Sequence, residues 1–452
     1  MCVFIEIIKN ISKMVFLSVV FLGFYRNAWA QTKTQLSLAQ VFERVEQFDP
    51  QVREKAYALV RAQVDLRRAR WNRVRGSLKL NASEAITESN WLAVPSSKDS
   101  DSVFFDRFSM ELAAEINVPL FAGFGIQGAI AAAEYRQTAA QAQLKMTKRD
   151  LKRLAYLAYA SLIVHNQNVV IGQQALARSQ KILEIAQSGK KSGVKTESDV
   201  VRAELNYLSK KEDFISRQAE RDLSLNTLKA ALLMQDVEVI EPTLSIQDLI
   251  EYKLTGVASE RLELTISQAQ MQAALKDKIV QRARYFPRIE LFTRATYGNG
   301  SALVIGGSAL GLGGGTQRFG VFSGYFTAGI NLSFTGFDFF VTRDDVARAD
   351  ADAHAASARY QDQQRQMLKD KQDSKIKQEQ AKMRLDALSG TQSLIQKSVD
   401  MVRANYASGN ASLTDVLNAE LEANQTSMRF LQVSLDCAQA HIDYLRAEGF
   451  EL

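Results

Sequence analysis

The chain contains itself twice. The stretch "SGVKTESDVVRAEL" at 192–205 returns as "SGNASLTDVLNAEL" at 408–421, with Ser, Gly, Asp, Val, Ala, Glu and Leu kept in place. The match runs on upstream: "INVPLFAGF" (116–124) returns as "INLSFTGF" (330–337), and "RARW" (68–71) as "RARY" (282–285), in the same order and at offsets of 213 to 216 residues. A period of that length marks a duplicated folding unit rather than a short solenoid repeat. Whatever one half builds, the other builds again.

Within each copy the apolar period changes from helical to two and back. In "FSMELAAEINVPLF" the set Phe108, Met110, Leu112, Ala114, Ile116, Val118, Leu120 alternates with Ser109, Glu111, Ala113, Glu115, Asn117. The second copy repeats the pattern with Phe322, Gly324, Phe326, Ala328, Ile330, Leu332, Phe334 against Ser323, Tyr325, Thr327, Asn331, Ser333. Each predicts a strand with one greasy and one polar face, the length and pattern of a membrane-barrel strand. Weaker partners precede them, Leu78, Leu80, Ala82, Ile86 in one copy and Ile289, Leu291, Ala295, Tyr297 in the other. Two hairpins are expected, with strands over about 77–87 and 108–120, then about 288–298 and 321–334.

After the second strand of each copy comes a stretch without proline, 125–191 and about 339–407. At about 1.5 Å per residue each predicts a helix on the order of 100 Å long. Leu151, Ala158, His165, Gly172 and Ala155, Leu162, Val169, Leu176, Leu183 form two heptad series in the first; Leu388, Ile395, Val402 and Leu385, Gln392, Val399, Tyr406 do so in the second. These are coiled-coil seams. Gly193 and Gly409 supply the left-handed residue that ends a helix, and Thr196 with Asp199, like Ser412 with Asp415, makes the pattern that caps the next. The repeated corner is therefore the tip of a helical hairpin, and the plain reading of both aspartates is capping.

The first thirty residues differ in kind. Lys9 and Lys13 precede the apolar "MVFLSVVFLGF", and Ala28 and Ala30 offer a small-residue cleavage site, so residues 1–30 read as a secretory signal. No later run is apolar enough for a transmembrane helix, which leaves strands as the route into a bilayer. Removing the signal takes Cys2 away and leaves Cys437 without a partner for a disulfide. Of the formal charge of +6, about +4 would remain, too little for this length to point to nucleic acid.

Rival chemistry finds little footing. The glycine-rich segment 298–320 lacks the Gly-Lys-Ser/Thr ending of a phosphate loop and lies between strands, so it reads as a loop at a barrel mouth. His165, His354 and His441 stand apart, without zinc-ligand spacing. Cys437 and His441 share a helix face but have no orienting third group. Glu111 and Glu115 read as solvated lining of a barrel lumen. No enzyme, metal site or cofactor is expected.

Helix, strand, strand, long helix, "SGxxxxxDVxxAEL" turn and returning helix, duplicated behind a signal, resembles the outer-membrane factor family typified by TolC. The resemblance covers almost the whole mature chain. It implies a mainly α fold with a small membrane β-barrel contribution, in which a homotrimer pools four strands per chain into one twelve-stranded barrel and builds a helical periplasmic tunnel. The implied layout is a first repeat at 31–240, a linker or equatorial segment at 241–256 and a second repeat at 257–452. The implied function is a passive exit duct for tripartite efflux or type I secretion, in the outer membrane of a Gram-negative cell, with a periplasmic adaptor and an inner-membrane transporter as partners. A soluble periplasmic coiled-coil scaffold is the rival, and it would lack the strand alternation.

Carried over residue by residue, Asp415 matches the acidic ring at the tunnel entrance. Asn418 stands where a second ring carboxylate can occur, so that charge is missing. Asp199 and Tyr406 match the contacts that lock the inner hairpin, while the basic partner position is Ala411. Gly193, Val194, Gly409 and Asn410 match the tips that meet the adaptor. The first copy also departs at "WNRVRGSLKL", which lacks the proline of "YFPRIELF" before the strand.

Overall fold

The computed structural model describes residues 34–84, 108–234, 240–251, 261–298, 304–305, 317–318, 323–334, 338 and 340–450. The expected signal at 1–30, nearly all of the glycine-rich loop and positions 85–87, 252–256, 321–322 and 335–337 lie outside the described residues. The chain divides into two compact units, one of Ala56–Gln143 and Glu263–Gln364, the other of Met1–Lys55, Leu144–Leu262 and Arg365–Leu452. Each unit draws on both repeats.

In chain order the elements are β1 (Thr34–Leu36), α1 (Leu38–Phe48), α2 (Pro50–Trp71), β2 (Arg75–Glu84), β3 (Phe108–Ala122), α3 (Gly125–Lys191), α4 (Glu197–Leu232), β4 (Ile240–Pro242) and α5 (Ile246–Ile250). They continue with α6 (Leu262–Arg282), β5 (Arg288–Gly298), β6 (Val304–Ile305), β7 (Gln317–Arg318), β8 (Ser323–Ser333), α7 (Val341–Ala407) and α8 (Leu413–Glu448). Helix dominates, as the proline-poor composition requires.

The first unit is organised by an antiparallel sheet in the order β2-β3-β5-β8. The two expected hairpins are present, and the β3–β5 pairing joins them. Register carries the sequence alternation across all four strands: Leu80, Leu112 and Tyr297 stand in one row, and Val118, Leu291 and Ile330 in another. That face is apolar and exposed, with Leu80 at 61% and Ile330 at 67%. The opposite face carries Ser77, Glu115, Arg294 and Thr327 in register, and ion pairs Arg294–Glu111 at 3.0 Å and Arg75–Glu290 at 2.9 Å. Among the described residues β2 and β8 have no further partner strand.

The strand ends shift slightly from expectation. β2 begins at Arg75, two residues before the predicted start at 77, and β3 runs on to Ala122 past the predicted end at 120 because a bulge at Pro119–Phe121 lets pairing with β5 continue. α7 begins at Val341 rather than 339, since Phe340 has φ 69° and cannot belong to a right-handed helix. Phe124 has φ 64° in the same place before α3. A bulky side chain held there costs about 1 kcal/mol or more. The motif alignment pairs Phe124 with Phe337, whereas structurally its counterpart is Phe340. Gly123, at φ 56°, is obligatory: a Cβ would lie 2.6 Å from the Ala283 carbonyl oxygen.

The second unit is helical. Its main core joins Leu38, Val41 and Phe42 of α1, Tyr156, Tyr159 and Leu162 of α3, Leu228 and Leu232 of α4, and Leu431 and Ile442 of α8. Burying each such side chain contributes about 1.5–3 kcal/mol. The described part of the expected linker, residues 241–251, carries regular structure. β4 pairs in parallel with β1, and the Tyr159 hydroxyl donates to Leu36 O at 3.0 Å while accepting from Thr243 N at 2.9 Å. Tyr156 donates to Leu249 O at 2.9 Å. Two tyrosine hydroxyls inside an apolar core thus find the carbonyls they need.

The seams appear in part. Ala155, Leu162 and Val399 are buried, but Gln392 is exposed. Two other apolar stripes lie open: Val201, Leu205, Leu208, Ile215 and Leu223 on α4, and Leu368, Ile376, Met383, Leu394 and Met401 on α7, all between 48% and 66% exposed. Their spacings of three, four, seven, eight and eleven each return to one helix face.

Candidate functional site

The two corners are built alike. α3 ends with Gly193 at φ 75°, Gly193 N bonding Lys190 O at 3.0 Å and Val194 N bonding Gly189 O at 2.9 Å. α7 ends with Gly409 at φ 82°, Gly409 N bonding Tyr406 O at 3.1 Å and Asn410 N bonding Asn405 O at 2.7 Å. Both are Schellman turns, which use a left-handed glycine to satisfy the last carbonyls. The next helix then starts with a capping box. Thr196 Oγ1 accepts from Asp199 N at 3.2 Å and Ser412 Oγ from Asp415 N at 3.2 Å. In return each carboxylate accepts from its cap residue's backbone N–H at 3.0 Å.

These bonds set the charge of the corners. The Ser412 hydroxyl and then its N–H hold the Asp415 carboxyl below the ordinary aspartate range. For Asp199 the Thr196 backbone and side-chain bonds do the same, aided by Lys195 and Arg202. Hydrogen bonds to the charged form favour it. Asp415 and Asn418 are exposed, as are Gly193, Val194, Gly409 and Asn410.

Asp199 and Tyr406 come to the same neighbourhood without bonding. Tyr406 is buried with Ile182 and Ala186 of α3, Ala203 of α4 and Leu413 and Val416 of α8. Burial, then the Asp199 charge, raises its phenol pKa. Its hydroxyl has no hydrogen-bond partner among the described residues, and the Asp199 carboxylate accepts from the Thr196 N–H and hydroxyl instead. Ala411 brings no charge to this neighbourhood, whereas Lys195 of the other corner places its Nζ 4.0 Å from the Tyr406 ring centre. Lys181, Glu184, Lys195 and Tyr406 line a cavity of about 720 Å³ here.

Sequence reasoning missed a buried polar contact near the corner. Glu420 of α8 is 6% exposed and accepts from Arg178 of α3 at 3.1 Å and from Arg403 of α7. Its twin Glu204 is exposed. A signal existed: at the repeat offset Arg178 corresponds to Leu394 and Arg403 to Gln187, so Glu204 has no arginine at either position equivalent to those around Glu420. Away from the corner, Cys437 is fully buried and burial raises its thiol pKa, while His441 Nδ1 lies 3.0 Å from Gln378 Nε2. None of the described helices is long and apolar enough to cross a membrane.

Solved structures share this fold. The VceC outer membrane protein of Vibrio cholerae is similar at 18% identity and TM-score 0.73, covering 92% of this chain and 96% of that one. The CmeC outer membrane channel of Campylobacter jejuni is similar at 15% identity and TM-score 0.73, with coverages of 92% and 86%. The open state of the MtrE outer membrane channel of Neisseria gonorrhoeae is similar at 15% identity and TM-score 0.68, with coverages of 91% and 89%. No curated protein matches the sequence. The outer membrane efflux protein family matches over residues 43–232 and 256–447, once in each copy of the duplicated unit. A match across both repeats, on a helical fold whose four-stranded sheet has an exposed apolar face, means that this chain belongs to the outer membrane efflux protein family.

Proposed function

We propose that the protein is a passive outer-membrane exit duct, formed by three copies and worked by a periplasmic adaptor and an energised inner-membrane transporter, in tripartite efflux or type I secretion. The observation that carries this reading is the four-stranded sheet: apolar on one face, charged on the other, and, among the described residues, without a further partner strand at β2 or β8. In lipid, open edges are untenable, so strands must close into a barrel. Three copies of four strands give twelve. The exposed stripes on α4 and α7 ask for the same thing, since each is a seam that a neighbouring copy would cover.

At the corner, Asp415 from three copies gathers negative charge around the narrow entrance of the duct, with Asn418 adding none. Field focusing in a narrow, low-dielectric passage makes those charges favour cations. Asp199 and Tyr406 belong to the lock of the second hairpin, the Tyr406 hydroxyl being the half that a neighbouring copy meets. Gly193, Val194, Gly409 and Asn410 form the tips that the adaptor meets. Purified protein in a planar bilayer should show a small, cation-preferring conductance. In outer-membrane fractions it should run as a heat-resistant trimer, and a monomer confined to the soluble periplasmic fraction would overturn the reading.

A further inference from the structure

We propose that α4 of one copy packs against α7 of the next with Ile215 seated over Gly390, and that this pair fixes the register between copies. The inference rests on the reading of the protein as copies closed around a duct, and adds which helices meet and at which residues. Within one chain α3 is tied to α8 by Arg178–Glu420 at 3.1 Å and packs on α4, where Ala203 joins Ile182 and Ala186. α7 is tied to α8 by Arg403–Glu420 and by Arg384–Asp436 at 3.9 Å. α3 and α8 thus hold the middle, while α4 and α7 each keep an open apolar stripe. A contact between two different surfaces, repeated from copy to copy, closes into a ring.

A glycine marks the fit. Gly390 continues the heptad series of Ile376 and Met383 on that face of α7, and a Cβ there would meet nothing within 4 Å. Glycine inside a helix destabilises it relative to alanine, and no described neighbour requires one here. Gly172 of α3 is the contrast: its Cβ would lie 2.8 Å from Arg217 Cδ, so the chain itself uses that space. Ala387, Gly390, Thr391 and Leu394 have the i, i+3, i+4, i+7 spacing of a coiled-coil hole, and all four are exposed.

Height selects the knob. The two corners share one core, Ile182 and Ala203 with Tyr406 and Val416, so distance along each helix measures height above the tip. Gly390 lies 17 residues before the end of α7 at Ala407, and Ile215 lies 18 residues after the start of α4 at Glu197. Both stand about 26 Å up, and around a shared axis equal heights meet. The other exposed residues fall into the same register, Val201 with Met401, Leu208 with Leu394 and Leu223 with Met383, each to within two residues. Charge agrees as well: Glu220, Arg221 and Asp222 precede Leu223 with a net negative charge, while Lys382 and Arg384 flank Met383. Charges beside a seam select partner and orientation.

The test uses the full chain with Cys2→Ala and Cys437→Ala, carrying Ile215→Cys and Gly390→Cys together, assembled in outer membranes and oxidised with copper phenanthroline. A disulfide needs Cβ atoms about 3.5–4.5 Å apart, so the pair should convert most of the protein into covalent trimer on denaturing gels, and either cysteine alone should leave monomer. Ile215→Cys with Met383→Cys, one heptad or about 10 Å away, should link roughly tenfold less. Gly390→Leu fills the hole and should cut the yield of heat-resistant trimer roughly tenfold, and adding Ile215→Ala should restore it. Preferential linking by the Met383→Cys pair, or a trimer yield indifferent to Gly390→Leu, would overturn the register and leave the trimer standing. A loss that Ile215→Ala does not restore would make the glycine a requirement of the helix itself and overturn the pairing too. Heat-resistant trimers that no cysteine pair between α4 and α7 links would overturn the helix pairing and keep the duct. If the unsubstituted chain forms no trimer, the duct reading fails with it.

Discussion

Lys195 holds its ammonium nitrogen 4.0 Å from the centre of the Tyr406 ring, so a residue of the first corner grips the end of the helix that leads into the second. Such a contact contributes about 1 kcal/mol, and Lys195→Ala should lower denaturant stability by that much. Tyr406→Ala, which empties a core of four helices, should cost about 3–4 kcal/mol. Tyr406→Phe keeps ring and cation and removes only the hydroxyl. It should leave unfolding unchanged and raise single-channel conductance; unchanged conductance would take the hydroxyl out of the lock.

Glu420 and Glu204 occupy the same repeat position with opposite burial. Glu420→Gln removes the buried carboxylate that Arg178 and Arg403 share and leaves Arg403 only its pair with Asp400 at 3.6 Å, at a cost of about 3 kcal/mol. Glu204→Gln on an exposed surface should stay within about 0.5 kcal/mol. Thermal unfolding followed by circular dichroism compares the two, and equal shifts would show that the arginine pair contributes nothing.

Asp415 and Asp199 both have lowered carboxyl pKa values. A group whose folded pKa is depressed adds stability above its ordinary pKa and loses that stability as pH falls through the folded value. Corner stability and cation preference should therefore persist through mild acid and fall away only below the ordinary aspartate range. Asp415→Asn, which keeps a capping oxygen and removes the charge, should abolish the cation preference at neutral pH. Asp199→Asn should leave it intact, and reversal potentials in asymmetric salt distinguish the two.

Gly123 pairs a positive φ with a space that a methyl group cannot enter, against the Ala283 carbonyl and the Phe286 side chain. Gly123→Ala should cost more than about 1 kcal/mol and reduce the yield of heat-resistant oligomer. Gly193→Ala meets no neighbour within 4 Å and should cost only its backbone strain.

Leu112 lies on β3, on the apolar face of the sheet. Leu112→Arg should cost about 2–4 kcal/mol if that face meets the bilayer core, and outer-membrane protein levels should drop. Asn81→Arg, on the polar face, is the control that should insert normally.

Much of this protein follows from local periodicity. Alternation in "FSMELAAEINVPLF" set β3 and its faces, the glycine and capping residues set both corners, and duplication said that each would occur twice. These are short-range effects, since backbone dihedrals and side-chain direction repeat every two or 3.6 residues whatever lies beyond. Tertiary structure decided what depends on residues far apart in sequence. It joined the two hairpins through β3 and β5, ordered the linker by pairing β4 with β1, and chose Phe340 rather than Phe337 as the counterpart of Phe124. It also gave identical glutamates different fates: Glu420 is buried because Arg178 and Arg403 converge on it from two other helices, and Glu204 is not because Gln187 and Leu394 stand in those places. A residue's identity travels with the repeat, but its environment is set by the helices that pack against it.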